Sequence, residues 1–322
     1  MPTPTPNQVH LDAVLTNISV AFLQTQDAFV APKVFPLLPV EKQSDTYLTY
    51  DRSDWLRDEA APRADGTESA GSGYNIDRDT YACLVTAFHK DIGDQAAANA
   101  DAPLNLDREA TEFVTRKLLL RLERDWASKY FTAGVWGIDL DGSGADFDQF
   151  DDSASDPMNL VEDQKETVLE LTGFELNTAV LSYPAFRALK NHPDIVDRLK
   201  YSGEFTGRTV TADKLAEMFD LERVLIAKSI FDSAQRGATS DPGFVHGKHM
   251  LLAYVPDTPS TLTPSAGYTF AWSGVSSGLG AETGISRFRM EERKADRVEG
   301  EAAWDHKVVA PDLGVFLQNV VG

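Results

Sequence analysis

The chain is 322 residues long and 42% hydrophobic, enough to bury a sizeable core and to build two subdomains. Its 50 Asp and Glu against 30 Lys and Arg give a formal charge of −20, which opposes bulk nucleic-acid binding, because phosphates are neutralised by Lys and Arg, and reads instead as a solvated, repulsive surface. The single cysteine, Cys83, excludes an intrachain disulfide and a cysteine metal cluster, and no apolar run reaches the length needed to cross a bilayer.

The start, Met1-Pro-Thr-Pro-Thr-Pro, has neither the basic region nor the apolar block of a secretory signal, so the protein is expected to be made and first held in a cytoplasm. Leu11, Val14, Leu15, Ile18, Ala21 and Phe22 recur at helical spacing and predict an amphipathic helix over about 8–26. Pro32, Pro36 and Pro39 then impose an extended path. A terminal helix on an extended tether fits an arm reaching for a neighbour; a helix packed on its own core fits the same residues.

Residues 44–90 predict a long hairpin. Thr46-Tyr47-Leu48-Thr49-Tyr50 is β-branched and aromatic, and the return from Tyr74 to Val85 alternates before turning apolar. Between them, from Asp58 to Gly73, no apolar residue is larger than Ala or Pro. A two-stranded arm of this kind has too little apolar surface to stand alone in water, so its support is expected to be another copy of the chain. Cys83, inside the run Tyr81–Val85, reads as a buried small residue rather than a reactive thiol.

A helix is predicted from about Asp107 to Phe131, with Ala110, Phe113, Val114, Leu118, Leu122, Trp126 and Tyr130 on one stripe and Glu109, Glu112, Arg116, Arg121, Glu123 and Arg124 largely off it. At roughly 35 Å it needs a sheet or a partner along most of its length. Next, Asp139, Asp141, Ser143 and Gly144 match the opening of a calcium loop, but Phe150 stands where a bidentate Glu belongs. Residues 139–152 are therefore expected to be a solvated acidic loop, with Asp139, Asp141, Ser143 and Asp146 as a weak cation-binding candidate.

From Asn159 to about Gly284 short helices and strands alternate: helices over Val161–Leu171, Pro184–Asn191, Asp194–Tyr201 and Val210–Phe219 (N-cap candidate Thr211), and strands over Thr178–Ser182, Leu221–Ala227 and Lys248–Val255. Asp232–Gly247 and Pro256–Gly280, rich in Gly, Ser, Pro and Thr, are expected to be loops. This is an α/β subdomain inserted between two parts of another. The closing stretch returns to strands at Ser286–Glu292, Asp296–Val309 and Val315–Val321.

No chemistry stands out. The six histidines are scattered, and only His246 and His249 are close enough to suggest a metal pair, for which further ligands are missing. There is no phosphate-binding glycine loop, no G-x-S-x-G, no H-E-x-x-H and no Cys–His nucleophile pair.

The order of parts, with Trp55–Ala60 after the first hairpin strand and the closing segment Ala303-Trp304-Asp305-His306-Lys307-Val308-Val309-Ala310-Pro311-Asp312-Leu313-Gly314, resembles the major capsid proteins of tailed bacteriophages, the HK97-like fold. The resemblance implies an α+β chain with an N-terminal arm (1–43) and an E-loop hairpin (44–88). It implies a peripheral domain (89–173 and 285–322) whose spine helix (about 107–131) lies over a sheet, and an inserted axial domain (174–284). It further implies self-assembly through pentamers and hexamers into an icosahedral shell around double-stranded DNA, in a virion assembled in the host cytoplasm. Implied partners are a portal, a scaffolding protein and a cement or decoration protein, with no membrane, no enzymatic activity and no cofactor.

Two departures from the family pattern stand out. No lysine occurs from Gln43 to His89, so the hairpin cross-link that some members form is unavailable. Met1 is followed almost at once by the arm, which favours a separately encoded scaffold. Arg57 and Arg63, with Trp55 beside them, are expected to contact the adjacent copy, since an acidic chain must bring acidic surfaces together and the arm carries few cations. An encapsulin-type compartment shell, of the same fold, and a cytoplasmic α/β enzyme are the rival readings.

Overall fold

A computed structural model describes residues 24–100, 105–144, 146–201, 210–256, 258, 263–275 and 284–322. Most of the helix expected over 8–26 lies outside them. The strands in chain order are β1 (Leu37–Val40), β2 (Ser44–Tyr50), β3 (Ile76–Ala82), β4 (Leu84–Gly93), β5 (Ile138–Asp141), β6 (Thr178–Ser182) and β7 (Arg223–Ala227). They continue with β8 (Ile230–Asp232), β9 (Pro242–Phe244), β10 (Met250–Ala253), β11 (Gly267–Trp272), β12 (Gly284–Met290), β13 (Ala295–Val308) and β14 (Gly314–Gln318).

One long helix, Leu106–Tyr130, organises the body. It starts where the Asn105 side chain accepts from the Arg108 amide, satisfying a backbone donor that the first turn leaves free. Ala110, Val114, Leu118, Leu122 and Trp126 recur every four residues and are all buried. That stripe packs on β13, where Gly300 leaves room for the approach: a Cβ there would lie 2.7 Å from Val114 Cγ1 and 2.9 Å from Leu118 Cδ1. Two residues depart from the sequence expectation. Phe113 stays 40% exposed, and Glu123 is fully buried.

β13 is the axis of the first sheet, in the order β1-β11-β13-β12 with β4 on the other edge of β13. Its first half lies between β12 and β4, and its second half pairs with β11. The second sheet, β5-β14-β10-β6-β7, is nearly all Val, Leu, Ile and Ala where it is covered on both faces, as strands buried on two sides require. Helix Pro157–Thr172 covers it and ends at Gly173, whose φ of 75° is the left-handed cap that glycine adopts without strain. Helix Ala212–Met218 is capped by Thr211, which accepts from the Lys214 amide.

Sheet membership cuts across the ranges expected from sequence. β5, within the acidic stretch, and β14, at the chain's end, join the α/β sheet. β11, inside a stretch expected to be loop, joins β13 and the parallel strand β1. Its residues Tyr268 and Phe270 are buried by partners far away in sequence.

Candidate assembly interface

The hairpin of β2 and β3 runs in register from Ser44 opposite Ala82 to Tyr50 opposite Ile76. Its base is fastened to the body. Tyr81 and Tyr47 pack on Phe270 at 4.5 and 5.4 Å between ring centres, and Ala82 N donates to Asp305 Oδ2 at 3.0 Å; within the hairpin the Tyr47 hydroxyl donates to Asp79 at 2.7 Å. Cys83 is buried against this same cluster, and burial pushes its thiol up to about 11, so it is an inert core residue.

Beyond the base the arm offers apolar surface to solvent. Leu48, Tyr50, Leu56, Tyr74 and Ile76 are all exposed, and Trp55 is 60% exposed. Tyr50, Trp55 and Tyr74 pack on one another, with ring centres 5.5–6.3 Å apart, and among the described residues they meet no other aromatic ring. The turn Arg52–Leu56 that carries Trp55 is set by Asp51, which accepts from Ser53 N, and by Asp54, which accepts from Asn75 N at 2.8 Å. Arg52 ties the turn to the body through Asp312 at 2.8 Å. The result is an exposed aromatic cluster held in a defined geometry.

Of the sequence candidates, Arg57 lies 3.5 Å from Asp54 of its own turn, and the Arg63 guanidinium donates to the Thr67 carbonyl. Both remain at the surface, beyond the aromatic cluster. In the acidic stretch, most of the candidate oxygens accept from the chain's own donors, while Asp139 Oδ1 is buried without a hydrogen-bond partner among the described residues. Asp141 accepts from Ser143 N, Ser143 Oγ and Asn319 Nδ2, which hold its carboxyl below the usual carboxylate range. Asp146 accepts from Asp141 N and Asp139 from Gly134 N. Among the described residues no group of three or more His, Cys, Asp or Glu side chains could hold a metal ion. Asp139 and Asp141 belong to β5, and Ser143 and Asp146 to the turn that follows it.

His246 and His249 face different neighbours. His249 Nδ1 accepts from Asn319 N at 3.0 Å, whereas His246 Nε2 lies 3.5 Å from Glu123 Oε1. Glu123 is the buried group that sequence periodicity misplaces. Its oxygens accept from Val30 N (3.0 Å), Ala31 N (2.8 Å) and Ser229 Oγ (3.2 Å), so one carboxyl joins the N-terminal segment, the long helix and the entry to β8. Burial raises its pKa to about 7, and burial lowers that of His246 to about 3. Desolvation disfavours the charge on each, so Glu123 keeps its proton up to about pH 7 beside an imidazole that stays neutral. His246 Nε2 itself has no hydrogen-bond partner among the described residues. The signal in the sequence was position: Glu123 is three residues before Trp126 and four before Ala127, both buried on the same side of the helix.

No family model matches the chain. It is 24% identical over 323 residues to the major capsid protein of Burkholderia phage BcepMu, covering 97% of each. It is also 24% identical over 315 residues to that of Pseudomonas phage JBD67, again covering 97% of each. Among solved structures it shares its fold with a phage-related protein from Bordetella bronchiseptica (TM-score 0.69, 21% identity, 92% of this chain and 94% of that one). The capsid chain of cyanophage P-SCSP1u has a TM-score of 0.61 at 10% identity, with coverage of 96% and 92%. The SrpI encapsulin of Synechococcus elongatus has 0.56 at 12%, with coverage of 96% and 95%. The chain is thus similar from one end to the other to two curated phage major capsid proteins, and it shares its fold with phage capsid chains.

Proposed function

We propose that the chain assembles through pentamers and hexamers into a closed icosahedral shell around double-stranded DNA, in the HK97-like arrangement. The observation that carries this reading is the arm: Tyr50, Trp55 and Tyr74 are held in place yet exposed, and a neighbouring copy is the surface that covers them. In this reading residues 1–43 form the N-terminal arm, 44–88 the E-loop, 89–173 and 285–322 the peripheral domain and 174–284 the axial domain, with β11 lent to the peripheral sheet and β5 and β14 to the axial one. Trp55, Arg57 and Arg63 meet the adjacent copy. The role is structural and needs no catalytic group. A portal, a separate scaffold and a cement or decoration protein complete the particle, which forms in the host cytoplasm. Among the described residues no helix is long and apolar enough to cross a membrane.

Electron microscopy of the purified protein, with light scattering across salt concentrations, tests the reading. Closed particles are expected; monomer under every condition overturns it. The encapsulin fold match sustains one other reading, a compartment shell, and the contents of native particles decide between them: DNA for a virion, a packaged enzyme for a compartment.

A further inference from the structure

The arginines in strands of the first sheet are all matched to carboxylates: Arg287 to Asp107 and Asp296, Arg289 to Asp94, Arg297 to Asp91 at 2.7 Å. The long helix differs. Phe113, Lys117, Arg121 and Arg124 are exposed along one line, falling within about 80° of its circumference and spanning roughly 16 Å, with the small Ser128 beyond them. Lys90 reaches in from β4, so that Lys90 and Lys117 lie 5.6 and 5.5 Å from the Phe113 ring centre, and Arg124 lies 4.4 Å from that of Phe231. Among the described residues none of these four cations has an ion-pair partner, although the chain carries 50 carboxylates. The helix's own acids are committed elsewhere: Glu112 to Arg108, Asp125 to Lys129, and Glu123 to the buried cluster. Of the helix's acids, Glu109, at the N-terminal end, is exposed and in no ion pair among the described residues. Arg116, half-buried beside the row, has a buried Nη1 without an acceptor.

We infer that Lys90, Lys117, Arg121 and Arg124 form a contact surface for the phosphate backbone of nucleic acid, which would place this face of the helix on the inside of the shell. The inference rests on the shell reading for the presence of an enclosed polyanion. A straight row of cations on a rigid helix suits a linear polyanion. A protein partner would call for an apolar centre inside the charged rim, and the row has one exposed aromatic, at its end. The N-terminal segment cannot neutralise the row, because residues 1–23 contain a single carboxylate, Asp12. A weak, local grip of this kind is compatible with a chain at −20, whose remaining surface repels the duplex.

The test is fluorescence anisotropy of a short, arbitrary DNA duplex with the full chain over a salt series. Four phosphate contacts give a log–log salt slope of about −3.6, or roughly a hundredfold loss of affinity between about 50 and about 200 mM salt. The double substitution Lys117→Gln with Arg121→Gln is expected to flatten the slope by about 2, whereas Arg108→Gln, a paired cation on the same helix, leaves it unchanged. Two results overturn the inference: a slope that the double substitution does not move, or a polyglutamate of equal charge that competes as well as DNA, which marks an acidic-protein site instead. Particle formation by the same variants, scored by electron microscopy, reads the shell separately. Particles with an unchanged slope reject this surface and leave the shell standing; a wild-type chain that forms none rejects the shell.

Discussion

Replacing Glu123 by Gln keeps the shape of the side chain and removes its proton equilibrium. Folded, Glu123 holds its proton up to about pH 7, whereas in the unfolded chain it lets go near the ordinary value of 4.5. Stability from this group is therefore fully present below pH 4.5 and is lost as pH rises through about 7. At about 1.4 kcal/mol for each tenfold change in proton affinity, the displacement is worth roughly 3 kcal/mol. His246 has the opposite sign. It is neutral when folded, down to about pH 3, and charges near 6.5 when unfolded, so its contribution is lost as pH falls below 6.5. The difference between wild type and variant therefore isolates Glu123. Urea unfolding of the unassembled subunit, followed by tryptophan fluorescence between pH 4.5 and 8, is expected to show that difference shrinking by roughly 3 kcal/mol as pH rises. A difference that stays constant across the range refutes the argument, because Glu123 would then titrate alike in both states. Glu123→Leu goes further. It leaves Val30 N, Ala31 N and Ser229 Oγ without their buried acceptor, an expected loss of about 3–6 kcal/mol.

Gly314→Ala sets a Cβ 2.1 Å from Trp136 Cε3 and is expected to cost about 2–3 kcal/mol, read as a shifted urea midpoint at unchanged slope; a midpoint equal to wild type would show that the indole moves freely. Amide exchange over 58–73 is expected to be fast in free subunits and slowed on assembly, since these small polar residues bury too little to offset their ordering entropy; equal protection in both states contradicts support by a neighbour. Arg57→Ala with Arg63→Ala is expected to lower particle yield and its resistance to salt while leaving the subunit's thermal midpoint in place. Each exposed pair within the subunit is worth only about 0.2–1 kcal/mol, so a fall in assembly with no change in the midpoint identifies contacts between copies. Wild-type yield in the double variant removes that role.

What could be read from the sequence was what local physics decides. Gly173 and Thr211 mark helix ends because a left-handed cap and a side-chain acceptor need no tertiary context. Thr178–Ser182 was legible because five residues buried on both faces must all be apolar or small. β11 was not. Gly267-Tyr-Thr-Phe-Ala-Trp272 lies among Gly, Ser, Pro and Thr, and its identity as a strand comes from β1 and from β13, roughly forty residues further on. β5 was hidden by composition, since Ile138-Asp-Leu-Asp141 reads as an acidic calcium loop until β14 pairs with it and Asn319 takes up the Asp141 carboxylate.

The surface was legible for a different reason. An apolar residue at a strand position carries an expectation of burial, and the hairpin between Thr46 and Val85 offers several with nothing nearby in the sequence to bury them. The fold leaves Leu48, Trp55, Tyr74, Ile76 and Leu84 exposed, Leu84 at 71%, so the mismatch between residue type and surroundings persists in the folded subunit. Glu123 is the converse: a charged residue whose type predicts solvent but whose place, beside Trp126, predicts the core. Charge type misleads where a buried acid can shed its charge and bind backbone amides, and only the packed structure supplies Val30 and Ala31 from about ninety residues away. The arm can be inferred from what the chain lacks locally, whereas the buried acid depends on donors that the chain brings from a distance.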